Sequence, residues 1–203
     1  MNRPMPPDWE PTFDEPYRFA PAPEIYDWLH QTILNEDNKV YNPEHNHLID
    51  HDMVRFLWAE GSFEKQGRTV HGQCELVSFR VSGWQKYRQE TQMEEWFGYI
   101  PKAVITLSAS YCRGCNDESF CALVEHELYH LAHKHTHMGP CYDDNNRPVL
   151  KIRGHDVEEF FGVVKRYGAG RDVQHMVDLA NDGPTVSRAS IAQACGTCLL
   201  RLA

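Results

Sequence analysis

The stretch Glu125-His126-Glu127-Leu128-Tyr129-His130 carries the pattern H-E-x-x-H, and it constrains the fold more than any other part of the chain. Two imidazoles four residues apart project together when the segment is an α-helix, where one turn stacks them on a single face. Ala122, Leu123, Leu128, Leu131 and Ala132 give the segment an apolar side at helical spacing, so one face can be buried while the other presents the histidines. Two nitrogens held in this way can grip a metal ion such as Zn2+. Glu127, beside the first histidine, can then take a proton from a water that the ion has acidified. His126 and His130 are therefore candidate metal ligands, and Glu127 is the candidate general base.

A catalytic zinc needs a third protein ligand and an open position. The extension H-E-x-x-H-x-x-G-x-x-H fails here, because His133 stands at the glycine position and Thr136 at the last histidine position. His133, one turn past His130, and His137 read instead as a solvated helix end. A following helix, His155 to Tyr167 and stopped by Gly168, offers His155, Glu158 and Glu159 on one face at i, i+3 and i+4. His155 is the favoured ligand, Glu159 the main alternative, with Glu158 behind it. The two glutamates also suit a helix N-terminus electrostatically without any metal.

These residues, with Asp143-Asp144, Arg147-Pro148, His155-Asp156-Val157-Glu158-Glu159-Phe160 and Arg166-Tyr167-Gly168, resemble the putative phage metallopeptidase family. More distantly the pattern is similar to SprT-like zinc metalloproteases. The resemblance spans roughly residues 100 to 170. It implies a compact α+β zincin-like domain, a small β-sheet packed against the H-E-x-x-H helix and further helices. It also implies His126, His130 and His155 on zinc, Glu127 as base, a peptide or protein substrate, and a viral or prophage origin. Two other readings are a catalytically silent zinc-fold phage protein that binds a host factor, and a metal-dependent amidase. The cysteines and the C-terminal tail depart from the family pattern.

Seven cysteines is a high and odd number for a chain of 203 residues, which suits metal binding or burial better than a disulfide framework. Cys112-Arg113-Gly114-Cys115 and Cys195-Gly196-Thr197-Cys198 are two C-x-x-C units. Their four thiolates could close a second, structural zinc site that pins the tail to the loop before the motif helix. Cys121 and Cys141 could substitute in it, and Cys74 packs in a strand core. The net charge of -9 argues against broad binding to nucleic acid. The longest apolar runs are too short for a bilayer, and the first residues lack the apolar core of a secretory signal. The expectation is a cytoplasmic protein (host cytoplasm if phage-encoded) with no membrane partner.

Along the chain, residues 1–22 read as an extended or disordered proline-rich arm, and 23–203 as one domain ending in the C-x-x-C tail. Pro23 opens a helix with Ile25, Trp28 and Leu29 on its buried side. Leu48, Ile49, Met53, Phe56 and Leu57 predict a helix over 45–59 that ends at Gly61, with His45, His47 and His51 as surface or core histidines. Strands are expected over 70–81, 103–108 and 149–152, a polar stretch around Trp84–Phe97, and a last helix near 172–179.

Overall fold

The computed structural model describes residues 3–9, 18–65, 67–157, 164–165 and 167–186. The architecture is α+β. A four-stranded mixed sheet has the order β1-β2-β6-β5, formed by Phe19–Pro21, Val54–Ala59, Ala103–Ser108 and Gly72–Leu76. β2 and β6 run parallel from Val54↔Ala103 to Ala59↔Ser108, while β1 and β5 lie antiparallel at the two edges. The central strands read as nearly continuous apolar runs because both of their faces are covered. In β2 every residue but Arg55 is buried, and in β6 every residue but Thr106.

Helix α1 (Pro23–Gln31) begins at its proline and buries Ile25, Trp28 and Leu29. The motif helix, called α4 below, spans Asp117–Tyr129. The two share one core, where Trp28 meets Phe120 edge-on at 5.3 Å between ring centroids and Trp58 of β2 lies 6.4 Å from the same ring. Trp58, Phe56 and Phe120 are the largest fully buried side chains among the described residues, and taking their surfaces out of water is the main force fixing helices to sheet. Beside the sheet lie two small hairpins, β3 (Phe63–Lys65) with β4 (Arg68–Val70) and β8 (His135–Thr136) with β9 (Gly139–Pro140). A two-stranded ribbon pairs β7 (Leu131–His133) with β10 (Leu150–Ile152). Helices α2 (Gly83–Phe97), α3 (Ala109–Gly114) and α5 (Arg171–Asp182) complete the described elements.

Several expectations are corrected. The helix over 45–59 is absent: Pro43–Leu48 forms a short 3-10 turn and Val54–Ala59 is β2. Its apolar spacing fits a helical stripe, but the run Val54, Phe56, Leu57, Trp58 belongs to a strand covered on both faces, which periodicity alone cannot separate from a helix. The stretch Trp84–Phe97 is a helix with no buried residue, bounded by Ser82 and by Gly98 at φ 77°. The strand expected over 70–81 is shorter, with β4 ending at Val70 and β5 spanning 72–76. His133 does not continue the motif helix, which ends at Tyr129; it lies in β7.

His155, Asp156 and Val157 are not helical, and 158–163 lie outside the described residues, Glu158 and Glu159 among them. Gly168, at φ 88°, donates its N–H to the Val164 carbonyl at 2.9 Å, the helix end expected there. The last three residues of the presumed arm before Ala22 form β1, and Arg3 donates to the Cys112 and Cys115 carbonyls and to Asp117, so residues near the N-terminus lie against the α3–α4 junction. Among the described residues no helix is long and apolar enough to cross a membrane.

Candidate metal centre

Helix α4 is started by Asn116, whose side chain accepts from the Ser119 N–H at 2.9 Å, and Asp117 and Glu118 in its first turn suit the positive end of the helix dipole. It buries Phe120, Leu123, Val124 and Leu128, which turns His126 toward the surface. His130 is the C-cap, still at helical angles (φ -71°, ψ -17°), so the one-turn relation to His126 survives where the chain leaves the helix.

The third imidazole arrives by a different route. In the ribbon, Leu131 faces Ile152, and the pairing runs one step further: the Arg153 N–H donates to the His130 carbonyl at 2.9 Å. The Arg153 carbonyl in turn lies 2.7 Å from His130 Nδ1. A carbonyl only accepts, so Nδ1 carries a proton, and in the neutral ring the Nε2 lone pair is left for a ligand. Two residues on, His155 comes within 3.3 Å of His126, Nε2 to Nε2, and His130 Nε2 is also 3.3 Å from His126 Nε2. Ligand atoms of the three histidines all lie within 4.8 Å of one another. Metal–nitrogen bonds of ~2.0–2.1 Å in a tetrahedral site put ligand nitrogens about 3.3–3.4 Å apart. The two separations about His126 match that spacing, and the three histidines together could hold a metal ion.

Glu127 is fully buried. Across from it, β5 passes so closely that a Cβ built on Gly72 would sit 3.0 Å from Glu127 Oε1 and 3.0 Å from Leu123 Cδ1. Beside the histidines lies a cavity of about 330 Å³, walled also by Tyr129, Val157 and Met176. The Tyr129 hydroxyl accepts from Asn42 Nδ2 at 2.9 Å, and the same amide reaches Glu125 Oε1 at 2.7 Å. Burial works to raise the Glu125 pKa, but the His45 imidazole 3.8 Å away and the hydrogen bond from Asn42 outweigh it and hold the carboxyl below its ordinary range.

The other candidates are elsewhere. His45 contacts Glu125, His47 Nε2 meets the Leu131 carbonyl at 2.6 Å, and His51 packs on Tyr99. His133 Nε2 meets the Cys141 carbonyl at 2.8 Å. Cys112 is fully buried in α3, and Cys115 caps that helix with its thiol 3.5 Å from the Cys112 carbonyl. The hydrogen bond from Cys112 lowers the Cys115 pKa, helped by Arg3, whose guanidinium lies 3.7 Å from the sulfur. Cys195 and Cys198 lie outside the described residues. Cys74 is buried in β5, and burial pushes the Cys121 thiol up to about 11.

Sequence reasoning missed Gly72, Asn42, Arg153 and Met176. The Arg153 carbonyl has no side-chain signature at all.

The model of a family described as putative phage metallopeptidase matches residues 18–181. No curated protein and no solved structure matches the chain.

Proposed function

This chain belongs to the putative phage metallopeptidase family, and on that premise we propose that it is a zinc-dependent peptidase with its metal held by His126, His130 and His155 and with Glu127 as general base. The observation that carries the reading is the pair of 3.3 Å Nε2 separations about His126. Bound there, zinc supplies Lewis acidity, which polarises a carbonyl and acidifies water.

The chain's own residues do the rest. The Arg153 carbonyl fixes the tautomer of His130 so that Nε2 faces the ion position. Glu127 takes the proton from the attacking water and returns it to the leaving amide nitrogen. Its burial keeps bulk water from competing for that proton, and Gly72 leaves room for the carboxylate against β5. Asn42 holds the hydroxyl of Tyr129, a residue that lines the cavity.

Glu127→Gln is expected to keep its zinc while hydrolysis of a peptide library falls by at least ~100-fold, the scale of a lost general base. Chelation should abolish cleavage by the wild type, and added zinc should restore it. Retained turnover in Glu127→Gln would refute the mechanism. Metal content tests the cysteine site separately: two ions per chain if Cys112, Cys115, Cys195 and Cys198 share one, and one ion if they do not.

A further inference from the structure

Helix α5 places Val173, Met176, Val177 and Ala180 at i, i+3, i+4 and i+7, an apolar stripe on one side of a helix whose other residues, Leu179 apart, are polar. Gln174 and Asp178, bonded to each other at 2.9 Å, mark the opposite side. No residue of α5 is buried; Met176 is 49% and Val177 45% exposed. An amphipathic helix is normally held by burying its stripe, and here the stripe stays open among the described residues. At one point it meets something specific. Met176 lines the cavity beside the three histidines, together with Val157, Tyr129, Arg153 and Asp156. The open stripe and the candidate reaction cleft are thus one continuous surface.

We infer that the α5 stripe, entered at Met176, is a side-chain subsite that selects an apolar residue of the peptide substrate beside the scissile bond. The inference rests on the peptidase reading and adds to it the class of substrate. A peptide lying along the cleft brings one side chain against Met176, and an apolar one removes from water both its own surface and that of the stripe. A charged side chain there would lose hydration with no partner on the stripe.

The test uses the full-length zinc-loaded protein and pairs of internally quenched peptides that differ only in one position, leucine against serine, next to the cut. The wild type should prefer the leucine member by about 10-fold or more in kcat/KM, the range open to a single hydrophobic contact. Met176→Asp should erase most of that preference, mainly through KM, while Met176→Leu retains it. Zinc content and circular dichroism, measured on each variant, report whether the fold is intact. Two results would overturn the inference: equal cleavage of both members by the wild type, or an unchanged preference in Met176→Asp, whether or not both members lose activity equally. A dimer in sedimentation that Val177→Asp dissociates, with the preference unaltered, would assign the stripe to a second copy instead. Failure of the wild type to cut any peptide would remove the peptidase reading itself and the subsite with it.

Discussion

At the scale of single residues, the site depends on a glycine as much as on its ionisable groups. Gly72 has an ordinary backbone angle; what it supplies is closeness, since a methyl group there would press on Glu127 Oε1 and Leu123 Cδ1 at 3.0 Å each. Gly72→Ala is expected to lose ~1–3 kcal/mol of stability, the usual cost of overpacking. It should lose activity beyond that, because Glu127 is one of the two groups displaced. Urea unfolding and peptidase assays on the same sample check both parts, and an active, equally stable variant would contradict them. The H-E-x-x-H spacing singled out His126, Glu127 and His130 and the next motif singled out His155, and the structure brings the three histidines together although His155 is not on the helix expected there. Gly72 was not legible, because a close approach between strand and helix exists only once both are in place.

At the scale of elements, the ribbon of β7 and β10 is what brings His155 to the motif helix. Its last rung joins Arg153 to His130 in both directions, N–H to carbonyl and carbonyl to Nδ1. Arg153→Pro removes the donated N–H while allowing the extended angles of the residue before it. Zinc affinity should fall about 10-fold, the low end of the range for a lost support behind a ligand, because the carbonyl behind His130 Nδ1 remains. A chelator competition titration measures it; unaltered affinity would show that the rung is dispensable. Helices α1 and α4 and strand β6 were readable from periodicity and caps. β2 was not, because its apolar run fits two periods. Nor was α2, whose sequence carries Ser82 and Gly98 at its ends but no buried stripe for a pattern to follow.

At the scale of the whole molecule, the far end of the ribbon is fastened to the sheet by charge. Asp143 accepts from the backbone N–H of Arg147 at 3.0 Å and from Lys102 at 3.0 Å, and Arg147 also grips Asp52 just before β2. The Arg147 backbone N–H, then the Lys102 and Arg147 side chains, hold the Asp143 carboxyl well below the usual carboxylate range. A depressed pKa contributes stability above the unfolded value, about pH 4 for aspartate, and loses it as pH falls toward the folded value. Asp143→Asn should therefore lower the melting temperature at pH 7, and the gap from wild type should shrink as the solution is taken below about pH 4. Calorimetry across pH 7 to 3 would show this, and a gap that stays constant would contradict it. The Asp-rich turn and its arginine were visible as part of the family pattern. Their partners Asp52 and Lys102 were not, since both lie some 40 to 95 residues away along the chain.

Because side chains alternate across a strand, the ribbon also acts as a counter. Extra residues at the exposed tip around Met138, beyond the last ladder pairs of β7, would leave the count between rung and ligand intact. A single residue inserted between Ile152 and His155 would shift the phase by one and turn the third imidazole away from the other two. The outer loop can therefore change length at less cost to the site than the short span from Ile152 to His155, where Arg153 is bonded to His130.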